Sequence, residues 1–235
     1  MAPALLLATD FDGTIATIVP RPEDAVIHPA AALVLQQCAA TPSIAVAVLS
    51  GRDVDDVRGR LGGLRAIVAG SHGLECRGAD GEILWTADRE LPPRELEVAP
   101  LRLERKKYSY AVHYRGIDPP AERLEAFEAW ARAKDLEVVR GRQVVEARLR
   151  GGGKGEALRR IAEMSGAPRV VFAGDDITDF EALAYAARHG VAIFVESEER
   201  QAPAVEGMRR VRTLEELADL FGREAVDAAG STIPV

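Results

Sequence analysis

Four short stretches of the chain are apolar almost without interruption: residues 4–9 (ALLLAT), 44–49 (IAVAVL), 66–69 (AIVA) and 169–173 (RVVFA). Runs of this length, rich in Val, Ile, Leu and Ala, predict strands, and continuous rather than alternating apolarity predicts a parallel sheet covered on both faces. Between them the spacing of apolar positions predicts helices over 29–40, 53–61, 155–165 and 179–189, with a further one over 213–222. Strand alternating with helix predicts a doubly wound, Rossmann-like α/β core.

The middle third follows a different rhythm. Residues 91–100 (LPPRELEVAP) are proline-rich, and beyond them two alternating stretches, 108–116 (YSYAVHYRG) and 136–150 (LEVVRGRQVVEARLR), flank a helical pattern over 120–134. This predicts a small antiparallel α+β insert, hence a core over 1–85 and 152–235 with an inserted cap over 86–151. On extended backbone Ser109, Ala111, His113 and Arg115 share one face, while Tyr108, Tyr110, Val112 and Tyr114 share the other. Likewise Arg142, Val144, Glu146 and Arg148 oppose Gln143, Val145, Ala147 and Leu149. Each strand thus pairs a largely polar face with a largely apolar one. The closing residues, 227–235 (DAAGSTIPV), lack periodicity and predict a loose tail.

Composition narrows the class without naming a function. A length of 235 residues suits one large domain, or one with a smaller insert, and 47% hydrophobic with 29% charged residues is ordinary for a globular protein. The net charge is −7, and the basic residues are scattered apart from ERKK at 104–107, so no nucleic-acid partner is expected. Two cysteines, Cys38 and Cys76, form neither a disulfide framework nor a paired metal-ligand spacing, which points to a reducing compartment. The first residues, MAPALLLATD, have no basic lead, and their apolar run stops at Asp10. Neither a signal peptide nor a spanning helix is expected there, and a cytoplasmic protein without a membrane partner follows.

The chemistry concentrates where the predicted strands end. In DFDGT, residues 10–14, Asp10 and Asp12 project to one side while Phe11 turns into the core, and Gly13 permits a sharp exit. A calcium loop fails, because that pattern needs Gly at its sixth position and Glu at its twelfth, where this chain has Ile15 and Arg21. The stretch 169–180 (RVVFAGDDITDF) repeats the arrangement with Asp175, Asp176 and Asp179. Five carboxylates at two strand ends repel unless a cation sits among them, and hard oxygen ligands suit Mg²⁺. A third strand ends in Ser50, Gly51 and Arg52, whose hydroxyl, backbone N–H groups and guanidinium suit an oxyanion. Lys154 opens a helix in RGGGKGEAL, where ammonium and helix N-terminus both favour negative charge. No nucleotide P-loop is present, since Gly155 follows the lysine and Arg148 stands at the leading-glycine position. Each feature alone has a plain reading as a helix cap, a turn or a solvated lysine; the ordered set does not.

That set, DFDGT, a strand ending in Ser, then Lys, then GDDITD, resembles the four motifs of the haloacid dehalogenase superfamily of phosphatases. GSHGLE (70–75), AVHYR (111–115), VVEAR (144–148) and GGKGEAL (152–158) are similar to its trehalose-6-phosphate phosphatase branch, from about Leu5 to about Leu220. The resemblance implies hydrolysis of a sugar phosphate through an aspartyl-phosphate. Asp10 would be the nucleophile and Asp12 the general acid and base. Mg²⁺ would be held by Asp10, the Asp12 carbonyl and Asp175, assisted by Asp176 and Asp179. Ser50, Gly51, Arg52 and Lys154 would bind phosphate, and the cap, with His72, Lys106, His113, Arg115 and Glu146, would bind the sugar. A monomer acting on a small-molecule sugar phosphate is expected. Two positions depart from that branch: Phe180 stands where Glu is usual and Leu149 where Pro is usual. They keep open sucrose phosphate and glucosyl- or mannosyl-phosphoglycerate as substrates. A sugar phosphomutase and a non-catalytic sugar-phosphate sensor are the rival readings.

Overall fold

The computed structural model describes residues 2–19, 21–93, 99, 101–114, 116–118, 121–141, 143–197 and 202–230. The chain divides into two compact units, Met1–Trp85 with Gly153–Val235, and Thr86–Gly152.

In the larger unit the chain passes through β1 (Leu5–Thr9), α1 (Pro29–Ala39), β2 (Ile44–Leu49), α2 (Val54–Arg60), β3 (Ile67–Gly70), β4 (Glu75–Arg77) and β5 (Ile83–Thr86). In the smaller unit follow β6 (Arg102–Arg105), β7 (Ser109–His113), α3 (Ala121–Ala133), β8 (Leu136–Gly141) and β9 (Val144–Leu149). The larger unit resumes with α4 (Lys154–Ser165), β10 (Arg169–Gly174), α5 (Phe180–His189), β11 (Gly190–Val195), β12 (Arg209–Val211) and α6 (Leu214–Ala229).

The large sheet has the order β12-β11-β10-β1-β2-β3-β4-β5. From β12 to β3 every pairing is parallel, whereas β4 runs antiparallel to β3. The strand order reverses direction between β1 and β10, the switch point at which open α/β sheets bind ligands beyond their carboxyl ends. Alternation explains the apolar runs. Leu5 and Leu7 of β1 enter the cluster that α1, α2 and α6 build, and Leu6 and Ala8 enter the cluster that α4 and α5 build. With helices on both faces, each position in the strand is buried.

Three elements differ from the sequence expectation. The helix expected over 213–222 continues to Ala229, so part of the stretch read as a loose tail is helical. It begins where the Thr213 side chain accepts the Glu216 N–H at 3.1 Å and stops at Gly230, in left-handed backbone with φ 65°. The apolar run after α5 forms β11, whose start abuts the helix end and so hides a strand signal inside a helical one. The segment Glu75–Thr86 supplies an antiparallel edge to a sheet expected to be parallel.

The smaller unit is a four-stranded antiparallel sheet of order β6-β7-β9-β8. Its register sets Ser109 opposite Arg148, Ala111 opposite Glu146 and His113 opposite Val144. The apolar face carries α3, where Trp130 meets Tyr110 edge to face at 5.5 Å and stacks on Phe127 at 5.8 Å. Among the described residues no helix is long and apolar enough to cross a membrane.

Candidate active site

Parallel pairing brings the two acidic motifs together. Thr9 lies opposite Ala173, and the Asp10 N–H donates to the Ala173 carbonyl at 2.8 Å, so the chain leaves β1 and β10 side by side. Gly13 is required twice over: its φ is 82°, and a Cβ there would lie 2.2 Å from Asp175 Oδ2. The result is a cluster of Asp10, Asp175 and Asp179, all buried, with ligand oxygens within 4.8 Å of one another.

Lys154, the first residue of α4, reaches into this cluster. Its Nζ donates to Asp10 Oδ1 at 2.6 Å and to Asp179 Oδ1 at 2.8 Å, and its side chain is 4% exposed. Burial alone would lower the lysine pKa, but Asp10 and Asp179 raise it above its ordinary value, so the ammonium is retained. Burial likewise pushes Asp10 well above the usual carboxylate range against the pull of Lys154, with Asp179 and Asp175 adding to the rise. Asp175 is pushed up to about 7, first by burial and then by Asp179. Two buried carboxylates under such pressure ionise together readily when a cation joins them.

The other acids hold the scaffold. Asp179 Oδ2 accepts the backbone N–H groups of Asp175 at 3.2 Å and Asp176 at 3.0 Å, so Asp179 shapes the loop after β10. Asp176 accepts the Ile177 N–H at 2.6 Å, capping the single 3-10 turn Ile177–Asp179. Thr14, which the sequence reading passed over, lies between the acids, its Oγ1 donating weakly to Asp10 Oδ2 at 3.5 Å or Asp175 Oδ1 at 3.3 Å. Its position inside DFDGT was the available signal. This all-oxygen set, with Asp10 and Asp175 at its centre, fits a hard divalent cation.

Ser50 follows β2, where it is fully buried; its Oγ accepts the Arg52 N–H at 3.1 Å. His72 packs beside it: its N–H donates to the Ser50 carbonyl at 2.9 Å, and a Cβ on Gly51 would lie 2.6 Å from the His72 ring. Glu75 is buried nearby in sequence and accepts from Arg77 at 3.1 Å. Arg52 engages another side chain of the site. Its guanidinium holds the Asp12 carboxylate in a two-pronged ion pair at 2.6 and 2.7 Å.

In the smaller unit, the polar face gathers the remaining candidates. Lys106 donates to Glu146 at 3.4 Å, Ser109 also donates to Glu146, and His113 Nε2 lies 2.8 Å from Glu104. Arg148 forms a further pair with Glu137 at 3.0 Å. Arg115 lies outside the described residues. The two departures from the family pattern are packing positions: Leu149 is buried at the end of β9, and Phe180 meets Phe194 edge to face at 6.5 Å.

Comparison with known proteins gives the family. The family model described as trehalose-phosphatase matches residues 8–206. The chain is 34% identical over 236 residues to a trehalose-phosphate phosphatase of Mycobacterium marinum, covering 92% of this chain and 60% of that protein. It is 36% identical over 219 residues to an uncharacterized glycosyl hydrolase of Mycobacterium tuberculosis, covering 84% of this chain and 16% of that protein. The chain therefore spans less than two thirds of the length of these relatives. Among solved structures, the C-terminal domain of the C. albicans trehalose-6-phosphate phosphatase shares the fold with a TM-score of 0.76 at 17% identity, covering 98% of this chain and 93% of that one. With the matched model spanning most of the sequence, the chain belongs to the trehalose-phosphatase family.

Proposed function

We propose that the protein is a Mg²⁺-dependent sugar-phosphate phosphatase that hydrolyses trehalose 6-phosphate to trehalose and phosphate. The observation that carries the reading is the buried ammonium of Lys154 bridging Asp10 and Asp179 beside Asp175, at the ends of β1 and β10.

Asp10 attacks phosphorus and forms an aspartyl-phosphate as the sugar oxygen leaves; Asp12 gives that oxygen a proton and then takes one from the water that cleaves the acyl phosphate. Lys154 stays charged and neutralises phosphoryl oxygens, while Ser50, whose Oγ already accepts the Arg52 N–H, offers its own proton to them. Mg²⁺, bound through Asp10 and Asp175 with the Asp12 carbonyl, would neutralise charge on the transferring group. Asp176 and Asp179 keep the ligand loop in shape.

Sugar recognition is assigned to Lys106, His113 and Glu146 on the polar face of the smaller unit; Arg115 and His72 are carried over from the motifs of the family. The two buried, unpaired thiols Cys38 and Cys76 support a reducing, cytoplasmic setting.

The test is release of inorganic phosphate from trehalose 6-phosphate, sucrose phosphate, glucosyl-phosphoglycerate and simple hexose phosphates, with Mg²⁺ and with chelator. Trehalose 6-phosphate should lead by orders of magnitude, and both chelator and Asp10→Asn should abolish release. A different preferred sugar would redraw the sugar assignment, and no release from any of them would sink the phosphatase reading.

A further inference from the structure

Arg52 follows the strand-ending Ser50 in a loop suited to oxyanions, yet its donors point elsewhere. Its Nε donates to Asp12 Oδ2 at 2.6 Å and its Nη2 to Asp12 Oδ1 at 2.7 Å, so both oxygens of that carboxylate are held. Nη2 also donates to the Pro22 carbonyl at 2.9 Å, and Nη1 to Asp56 at 2.9 Å. A guanidinium has five N–H groups, and these contacts engage all but one. The arm is anchored from behind as well. Asp56 is itself gripped by Arg60 at 2.9 and 2.7 Å, and Arg60 donates to the carbonyls of Glu23 and Ala25. The Phe11 ring lies 5.6 Å below the Arg52 head group. Arg52 is the more buried partner: its side chain is 15% exposed, against 39% for Asp12.

We propose that Arg52 is a positioning residue for Asp12 rather than a phosphate ligand. It fixes the orientation of the carboxylate that carries the proton. This rests on the phosphatase reading, in which Asp12 is the acid and base. The chemistry follows from the geometry. Each carboxylate oxygen has two lone pairs, so an oxygen held in the fork keeps one with which to take a proton, and the two-pronged contact fixes the plane in which that lone pair points. Asp12 thus exchanges a proton with the sugar oxygen, and later with water, from a fixed orientation. Lysine keeps the charge but lacks the fork, so it cannot fix that plane.

The experiment uses the whole protein and the variants Arg52→Gln, Arg52→Lys and Asp12→Asn, together with the double variant Arg52→Gln/Asp12→Asn. Turnover is measured on trehalose 6-phosphate, whose sugar oxygen needs a proton to leave, and on p-nitrophenyl phosphate, whose phenolate leaves without one. Affinity for inorganic phosphate is measured by calorimetry. Either arginine substitution should lower kcat on the sugar phosphate about a hundredfold, the lower end of what general acid–base catalysis supplies, with KM nearly unchanged. Turnover of p-nitrophenyl phosphate should fall by only a few fold, because the hydrolysis half-reaction alone feels the loss. Arg52→Gln should add nothing in the Asp12→Asn background, and phosphate affinity should be unaltered. A tenfold loss of phosphate affinity, or an arginine effect that multiplies with that of Asp12→Asn, would overturn the assignment. If the unmodified protein hydrolyses no sugar phosphate, the phosphatase reading fails and takes this inference with it. An active parent with a multiplicative cycle sinks the arginine assignment alone.

Discussion

Lys154 shows how a residue's surroundings decide its role. A lysine at the start of a helix in a glycine-rich stretch is ordinarily solvated, but here it lies between two buried carboxylates, where burial lowers and the acids more than restore its charge. In the proposed mechanism, replacing it removes positive charge where phosphoryl charge is met. Lys154→Ala should therefore lower turnover by about 10²–10³-fold, comparable to losing one preorganised donor, while the protein still folds because Asp10, pushed above the usual carboxylate range by burial, can take up a proton instead. Phosphate-release kinetics beside a circular-dichroism melt would check both halves; normal turnover in a folded variant would remove Lys154 from the site. The same scale holds what was hardest to read ahead. Asp10, Lys154 and Asp175 were legible because each closes a strand or opens a helix. The Arg52–Asp12 pair was not, because it joins residues forty positions apart that no local periodicity links.

Among the elements, α4 and α5 carry the site's precision. Gly155 lies in the first turn of α4, where a Cβ would come 2.6 Å from the Glu181 Cβ and 3.2 Å from its backbone carbon. The two helices thus approach as closely as a glycine allows, and Lys154 is the neighbouring residue. Gly155→Ala gains helix propensity, yet the steric conflict should dominate, destabilising the protein by about 1–3 kcal/mol as overpacking does. Urea unfolding would measure the loss. Turnover should fall along with it, since α4 cannot shift without carrying the ammonium off Asp10; an unchanged midpoint would mean that the helices separate freely. Element identity was legible where periodicity was clean, as in β1, β2 and β10. It was lost where β11 begins directly at the end of α5 and where the apolar stripe of α6 continues on the small side chains of Ala225 and Ala228.

At the scale of the whole molecule, the acid cluster ties stability to pH and to metal. Asp175 is raised from 3.8 to about 7, chiefly by burial. A carboxyl with a raised pKa binds its proton more tightly folded than unfolded. Its contribution to stability is thus complete below 3.8 and is lost as pH rises through about 7. A divalent cation competes with that proton for the same oxygens. The rise in melting temperature on adding MgCl₂ should therefore be small at pH 5 and full at pH 8. Differential scanning calorimetry at both values, with chelator as reference, tests it; an equal rise at pH 5 would show that the cation does not depend on these carboxylates.

The sequence by itself determined the class of fold, the presence of an inserted α+β unit and the acids and lysine of the site. Apolar runs, helical spacing and strand-end motifs are local properties, written within a few residues of where they act. Tertiary structure alone decided which strands neighbour one another and therefore which motifs meet. It made Asp179 a brace for its loop, set Thr14 between two carboxylates, and brought the Arg52 guanidinium onto Asp12. The physical reason is that a side chain with several donors or acceptors has several partners it could satisfy, and only the packed positions of distant segments select among them.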